Sequence, residues 1–268
     1  MRSKIYFASD FHLGTPNYAK SLAREKKVVA WLESIKNDAK EIYLLGDIFD
    51  FWFEYKTVVP KGFTRLLGKI AELSDAGIPI KFFTGNHDLW MKDYFEKELN
   101  VEVYHHPITA EWNGKKFFIG HGDGLGPKDY GYKFINKIFK NKFCQWLFAQ
   151  LHPGIGIKIA QLWSKKSRNS NSSDKKFLGE EKEHLLIYAK DALRKEHFDF
   201  FIFGHRHIPL DITLSNNVNG KENKSHASSN SQSRYINLGD WITHYSYAEF
   251  DGTELKLKYF NQQEQQQE

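Results

Sequence analysis

The sequence predicts an α/β fold in which helices cover a β-sheet. Three short apolar runs, at 5–8, 42–45 and 78–83, have the length and composition of buried strands. Helical spacing of apolar residues lies between them, over 19–37 and again over 63–76. Polar clusters follow these runs, and open α/β sheets place their functional sites just beyond strand ends.

The second half of the chain continues this pattern. Residues 108–119 predict a hairpin that turns at Asn113-Gly114, a pair that suits a tight turn. A helix near 179–196 then precedes a buried strand over 198–203. Further strands are expected near the end of the chain, at 234–238, 245–250 and 254–260.

A basic helical insertion is expected to interrupt this core. Apolar periodicity predicts three amphipathic helices over 129–163, and the polar segment 164–176 is expected to be mobile. Residues 129–176 hold ten Lys and Arg against two Asp, a formal charge of +8, although the whole chain carries only +5. Phosphate groups or an anionic membrane surface are the expected partners of such a segment.

The expected organisation is a core in two pieces, 1–125 and 177–262, around a lid insertion at 126–176. Residues 215–233 form a Ser/Asn-rich loop with too little apolar content to pack. The Gln-rich tail at 263–268 is expected to be disordered.

Five clusters combine carboxylate, amide and imidazole side chains, which suit Mn²⁺, Fe²⁺ or Zn²⁺. They are Asp10-Phe-His12, Gly46-Asp47-Ile-Phe-Asp50, Gly85-Asn86-His87-Asp88, Gly120-His121-Gly-Asp123 and Gly204-His205-Arg-His207. Phosphate-ester hydrolysis gains from two cations about 3.5–4 Å apart, which lower the pKa of a bridging water. A carboxylate can reach both ions and a neutral imidazole cannot, so Asp47 is the best candidate for the bridging ligand.

Each cluster alone also has an ordinary structural interpretation. A Gly-Asp pair after a strand is usually a turn, and Gly-Asn-His-Asp could equally be a turn with an Asx cap. For Gly204-His205-Arg-His207, metal ligation and a surface turn remain comparable. Asp50 and Asp123 could orient a ligand or cap a turn. The joint occurrence of five clusters, in one order and at strand ends, is what favours a two-metal site.

The five clusters together resemble those of the calcineurin-like metallophosphoesterases over nearly the whole chain. That resemblance implies a four-layer αββα sandwich, two sheets face to face between helices, and two divalent ions, most often Mn²⁺. It implies that His87 donates a proton to the leaving oxygen or binds the phosphate, with Asp88 orienting its ring. One metal would be held by Asp10, His12, Asp47 and His207, and the other by Asp47, Asn86, His121 and His205.

A narrower resemblance is to the UDP-2,3-diacylglucosamine diphosphatases of lipid A synthesis. The residues that carry it are Gly46-Asp-Ile-Phe-Asp-Phe-Trp52, Gly120-His-Gly-Asp-Gly-Leu125 before the insertion, and Leu238-Gly-Asp-Trp241. That family releases UMP and 2,3-diacylglucosamine 1-phosphate, and its helical insertion is a lid over the acyl chains and phosphate. The resemblance implies substrate contacts from Asn86, His87, Asp129, Lys165, Lys166, Arg168 and His205.

Some features leave alternatives open. For Asp129 the sequence favours a helix cap over a substrate contact. The aromatics at 130–163 could line an acyl chamber or form a separate small core. The sequence also departs from the diphosphatase pattern, with His87 where that family has Arg and Arg206 where Thr is usual. The first departure changes how the leaving group or phosphate is handled.

Composition narrows the setting. The single Cys144 excludes an internal disulfide and a cysteine-based metal site, and no uncharged apolar run is long enough to span a membrane. Because Asp10 comes too early for a signal peptide, we expect a cytoplasmic protein, peripheral on the inner face of the cytoplasmic membrane.

The expected partner is a lipid-linked nucleotide, with no nucleic acid and no obligate protein partner. The alternatives are a metallophosphoesterase for another nucleotide or phospholipid, a non-catalytic metal-dependent scaffold, and nucleic-acid binding through the basic segment. The complete set of expected ligands argues against the scaffold.

Overall fold

The computed structural model describes residues 2–127, 130–170, 176–214 and 232–260. Its strands are β1 (Lys4–Ala8), β2 (Ala39–Leu45), β3 (Ile80–Phe83), β4 (Glu102–Tyr104), β5 (Ile108–Trp112), β6 (Lys115–Gly120), β7 (Phe200–Phe203), β8 (Pro209–Leu214), β9 (Ser233–Leu238), β10 (Ser246–Phe250) and β11 (Leu255–Tyr259). Its helices are α1 (Tyr18–Ile35), α2 (Thr64–Asp75), α3 (Tyr94–Leu99), α4 (Tyr130–Lys140), α5 (Lys142–Ala149), α6 (Pro153–Ser170) and α7 (His184–Leu193).

Two mixed sheets form the centre of the described structure. One has the strand order β11-β10-β1-β2-β3-β4, and the other has the order β5-β6-β7-β9-β8. Strands β1 to β4 pair in parallel, as do β6, β7 and β9. The carboxyl ends of each parallel set therefore meet at one edge of their sheet.

Three apolar clusters define four layers. A middle cluster joins the facing sides of the two sheets, with Phe7 and Leu45 from the first sheet packed near Phe117 and Ile202 from the second. The outer face of the first sheet packs against α1, α2 and α3, and the outer face of the second packs against α7. The αββα sandwich implied by the sequence is confirmed.

The predicted elements recur close to their expected positions. The hairpin of β5 and β6 turns at Asn113 and Gly114, which both have positive φ. Helix α6 continues to Ser170, into a segment that the sequence suggested to be mobile. No Pro or Gly interrupts residues 157–170, so nothing in this stretch ends the helix. The helices predicted over 129–163 are present, whereas most of the loop 215–233 and the whole tail 263–268 lie outside the described residues.

Candidate metal centre

The two sheets bring the five clusters together at their strand ends. Asp10 follows β1, Asp47 follows β2, Asn86 follows β3, His121 follows β6 and His205 follows β7. All five strands belong to the parallel sets, so their carboxyl ends converge on one region between the sheets. This convergence is the arrangement that the sequence predicted.

The backbone at the centre is unusual. Asp10, His12, Asp47, His205 and His207 all have φ between 43° and 68°, the left-handed region that L-residues seldom occupy. Each such residue costs about 1–3 kcal/mol and persists only where the surroundings enforce it. These ligand positions are therefore held in shape by the packed sheets around them.

The first group of candidate ligands is compact. Suitable donor atoms of Asp10, His12, Asp47 and His207 all lie within 4.8 Å of one another. The Nε2 atoms of His12 and His207 are 3.1 Å apart, and His207 Nε2 is 3.3 Å from Asp10 Oδ1. His12 Nε2 is also 3.7 Å from Asp47 Oδ2.

The second group meets the first at Asp47. His121 Nε2 lies 3.5 Å from Asp47 Oδ2 and 3.3 Å from Asn86 Oδ1, and His205 Nδ1 lies 3.0 Å from the same amide oxygen. His121 Nδ1 is 2.7 Å from the carbonyl oxygen of Leu45, which can only accept a hydrogen bond. The proton of a neutral His121 ring is therefore on Nδ1, and the Nε2 lone pair faces Asp47.

These residues fit a pair of divalent cations. Asp10 Oδ1 and His12 Nδ1 are buried without a hydrogen-bond partner in the described structure, although such buried polar atoms are normally paired. Burial lowers the pKa of His12, but the carboxylates of Asp10 and Asp50, 3.8 and 3.7 Å from its ring nitrogens, and the charge of Asp47 outweigh it and raise that pKa to about 10. The pocket thus stabilises positive charge, and oxygen and imidazole donors suit Mn²⁺, Fe²⁺ or Zn²⁺.

The pKa of the Asp47 carboxyl shows the same balance. Burial raises it, yet the charge of His121 brings the pKa well below its ordinary value. Asp47 is therefore a carboxylate under all ordinary conditions. As an ionised group placed between two sets of ligands, it can serve both.

Two glycines leave room for the carboxylates. A Cβ on Gly85 would overlap Asp47 Oδ1, and a Cβ on Gly204 would lie 2.5 Å from Asp10 Oδ2 and from Ser9 Oγ. The carboxylate of Asp10 also accepts hydrogen bonds through Oδ2, from Ser9 Oγ at 2.5 Å and from the backbone amide of His205 at 3.0 Å. The glycines of the third and fifth clusters are thus required by the close approach of the ligands.

His87 lies beside the ligands, but its orienting contacts differ from those expected. Its Nδ1 is 3.1 Å from the carbonyl oxygen of Asp50 and 3.0 Å from Ser164 Oγ. The carbonyl can only accept, so Nδ1 carries a proton and Nε2 is the atom available for chemistry. Burial lowers the pKa of His87, so the neutral ring is favoured.

Asp88 does not orient this ring. Its carboxylate accepts hydrogen bonds from four backbone amides, at Gly85 (2.7 Å), Ile48 (2.8 Å), Asp47 (3.2 Å) and Phe49 (3.3 Å). Burial, with the charge of Asp47, raises the pKa of Asp88 to about 7. The expected role is therefore corrected: Asp88 ties the loop after β2 to the loop after β3, and Asp50 and Ser164 contact His87.

Arg206 is explained by a contact within the core. Its guanidinium donates to both carboxylate oxygens of the buried Glu183, at 2.8 and 2.9 Å. Glu183 is the residue before α7, so this pair joins the loop of the fifth cluster to the start of that helix. The other side of the same loop has His207 Nδ1 3.7 Å from Asp240 Oδ2, within the Leu238-Gly-Asp-Trp241 motif.

The remaining predicted residues divide into three sets. Asp50 contacts His87 and lies 3.7 Å from His12 Nδ1, so it supports the ligands as one of its two interpretations suggested. Asp123 accepts a hydrogen bond from Asn136 of α4. Asp129 lies outside the described residues, as do the side chains of Lys165, Lys166 and Arg168 in the last turns of α6. The substrate contacts assigned to these four stay predictions.

The aromatic residues of the insertion are divided between two sides. Phe148 packs against Phe53 and Trp90 of the core, with ring centroids 4.9 and 4.8 Å away. Trp90 also donates from Nε1 to the carbonyl oxygen of Phe139. In contrast, a second set is exposed on α5 and α6: Phe143, Trp146, Leu147, Ile155, Ile159 and Leu162. The described part of the insertion therefore does not bury its apolar residues in a core of its own.

Ser164 is a site residue that sequence reasoning missed. It lies in a run of Ser, Asn and Lys, is buried, and contacts a ring 77 positions earlier in the chain. The one sequence signal for this role was that Ser164 directly follows the predicted apolar helix and could continue it. No helix within the described ranges is long and apolar enough to cross a membrane.

Fold and site together define a metallophosphoesterase, a metal-dependent hydrolase, and comparison with known proteins agrees. The family model for calcineurin-like phosphoesterase matches residues 3–209, and the chain belongs to this family. A UDP-2,3-diacylglucosamine hydrolase of Porphyromonas gingivalis is 43% identical over 276 residues, covering 96% of this chain and 98% of that protein. Both resemblances identified from the motifs are thereby confirmed.

More distant proteins are also similar. A UDP-2,3-diacylglucosamine hydrolase of Histophilus somni is 28% identical over 210 residues, covering 76% of this chain and 84% of that protein. Among solved structures, a dimetal phosphatase from Danio rerio is 13% identical with a TM-score of 0.46, covering 95% of each chain.

Proposed function

We propose that this protein hydrolyses the pyrophosphate of UDP-2,3-diacylglucosamine to UMP and 2,3-diacylglucosamine 1-phosphate, a step of lipid A biosynthesis. The observation that carries the proposal is the meeting of two ligand groups at Asp47 Oδ2, which lies 3.7 Å from His12 Nε2 and 3.5 Å from His121 Nε2. The near full-length relative with that activity in its name supports the substrate.

The ligand groups assign a role to each residue. Asp10, His12, Asp47 and His207 would hold one cation, and Asp47, Asn86, His121 and His205 would hold the other. When bound, two divalent cations supply positive charge against the phosphoryl oxygens and acidify the attacking water. We favour Mn²⁺, because oxygen and imidazole donors are mixed here and the family resemblance points to it.

His87 is assigned to the leaving group. The carbonyl of Asp50 holds the Nδ1 proton, so Nε2 is the nitrogen left for the substrate. If the ring takes up a second proton when the anionic substrate binds, Nε2–H can hydrogen-bond the phosphate or pass that proton to the departing oxygen, which returns the ring to the neutral form protonated on Nδ1. Ser164 places α6 of the insertion directly against this ring. Closure of the insertion over the substrate would therefore change the contact between Ser164 and His87. This agrees with the proposed function of the insertion as a lid.

The exposed apolar residues of α5 and α6 are assigned to lipid. Phe143, Trp146 and Leu162 are each more than half exposed, and Lys142 and Lys158 lie on the same helices. Aromatic and aliphatic side chains bordered by lysines suit acyl chains and an anionic headgroup region. We propose that this surface brings the protein to the inner face of the cytoplasmic membrane as a peripheral protein.

The test is release of UMP from UDP-2,3-diacylglucosamine in detergent with Mn²⁺. Native enzyme is expected to be active, to lose activity with a chelator and to regain it when Mn²⁺ is restored. Asp47→Ala removes the shared ligand and should lower kcat/KM by about 10²–10³-fold, a loss typical of removing a main stabilising group. Asp191→Ala, at an exposed carboxylate of α7 paired with Arg194, is the matched control and should stay active. Native turnover by Asp47→Ala would contradict the assigned centre.

A second candidate is hydrolysis of another nucleotide or phospholipid, and His87 in place of the diphosphatase Arg favours it. The comparison is between UDP-2,3-diacylglucosamine and UDP-glucosamine without acyl chains. If the acylated substrate has much the higher kcat/KM, the lipid substrate is supported. Equal kcat/KM values for the two compounds would indicate a soluble nucleotide sugar as the substrate.

A further inference from the structure

A cleft beside the metal centre is not used by the mechanism above. It has a volume of about 580 Å³, within the range of small-molecule sites. One wall follows the ends of β3 and β6, at residues 83–84 and 121–125, and residues 104–107 continue it. Helix α4 of the insertion forms the facing wall.

The lining of this cleft is strongly basic. Lys133, Lys137 and Lys140 all border it, and their spacing of four and three residues puts them on one face of α4. The imidazoles of His105 and His106 lie opposite, and the acidic residue in the lining is Asp123. Such a lining attracts an anion, and its imidazole rings can stack on a planar base. The Tyr104 ring has one face stacked on Phe83, with 5.0 Å between centroids, so at most its other face is available.

The cleft leads to one flank of the metal centre only. His121 lines it and also belongs to the ligand group around Asn86. Neither His87 nor Ser164 lines it, since they lie where α6 contacts the centre. The centre therefore has a basic, ring-lined cleft beside His121 and an insertion helix with exposed apolar residues beside His87.

We propose that this cleft receives the nucleoside monophosphate half of the substrate. This inference rests on the proposed function, in which a pyrophosphate joins a lipid to a uridylyl group. Hydrolysis of the pyrophosphate at the cations separates a lipid half from a nucleotide half, and each flank of the centre matches one of them. The exposed apolar helices beside His87 suit the acyl chains. The lysines and flat rings beside His121 suit the phosphate, ribose and base. The lysines of α4 then meet the phosphate of UMP.

The experiment measures inhibition by the product UMP, with inorganic phosphate as the comparison. Lys137→Glu with Lys140→Glu reverses two charges at exposed positions of α4, and should raise the inhibition constant of UMP by about tenfold or more, the effect of about 1.4 kcal/mol. Lys26→Glu, at an exposed position of α1 outside the cleft, is the matched control and should leave it unchanged. Hydrolysis of a small aryl phosphate by each variant shows that the metal centre is intact.

The outcomes separate this proposal from the proposed function. If native enzyme does not hydrolyse UDP-2,3-diacylglucosamine, the function itself fails. If it does, but UMP inhibits native and double-variant enzymes equally, the cleft is overturned as the nucleotide site. The proposal would also be overturned if inorganic phosphate inhibited as strongly as UMP and depended on the same lysines. The cleft would then bind a phosphate without recognising the nucleoside. A loss specific to UMP supports the proposal.

Discussion

The contacts of some side chains at this centre could be predicted from the sequence, and those of others could not. The place of Asp47 could be predicted, because a carboxylate can reach two cations and a neutral imidazole cannot, and its Oδ2 lies 3.7 Å from His12 Nε2 and 3.5 Å from His121 Nε2. Asp88 could not, because a place in a cluster does not fix the direction of a side chain. Ser164 could not, because its partner His87 is 77 positions away and nothing local distinguishes it from neighbouring serines.

The contacts of Asp88 give a prediction about stability. Asp88→Ala removes the acceptor for four backbone amides in a buried loop, so the free energy of unfolding should fall by about 3 kcal/mol. Asp88→Asn keeps one acceptor oxygen and should lose less. Urea denaturation followed by tryptophan fluorescence measures both. An unfolding midpoint for Asp88→Ala equal to that of native protein would show that these hydrogen bonds are dispensable.

Among the elements, those with long apolar runs were predictable and short ones were not. Strands β1, β2 and β7 are buried along most of their length and read as continuous apolar runs. Helix α3 has six residues and strand β4 has three, too few for a period to appear. Strand β8 begins with Pro209 and alternates with polar residues at the sheet edge, so its signal is weak.

The turn after β7 gives a prediction at this scale. A Cβ on Gly204 would crowd Asp10 Oδ2 and Ser9 Oγ, so Gly204→Ala should displace a ligand loop and lower bound metal per chain together with activity. The free energy of unfolding of Gly204→Ala should be lower than that of native protein by about 1–3 kcal/mol. Gly68→Ala is the control, since it lies within α2 with open space around it and should stabilise by about 0.5–1 kcal/mol. Full metal content in Gly204→Ala would contradict the spatial argument.

Over the whole molecule, the chain joins a four-layer core to a helical insertion with one side packed on that core and the other side exposed. The sequence predicted three amphipathic helices and left open whether their aromatics form a core of their own. It could not decide, because periodicity identifies an apolar side without naming what covers it. In the structure Phe148 packs on the core, whereas Trp146 and Leu162 remain exposed.

The exposed side gives a prediction about membranes. Leu162→Glu places a charge on a residue that is 70% exposed, and should lower the fraction bound to anionic phospholipid vesicles by about tenfold, in line with the value of one buried leucine. Tyr18→Glu changes a residue of α1 that is 78% exposed and should not alter binding. Co-sedimentation with vesicles that lack substrate measures both. Equal binding by the two variants would remove this surface as the membrane contact.

The candidate ligands of the metal centre are far apart in the sequence, and this separation matters while the chain is being synthesised. His12 and His207 touch across 195 positions, and Asn86 meets His205 across 119. A nascent chain still emerging from the ribosome has Asp10, His12, Asp47, Asn86 and His121 before it has either histidine of the fifth cluster. Both candidate ligand groups stay incomplete until β7 and the loop after it have been made and paired, so a chain truncated before residue 205 cannot complete either group.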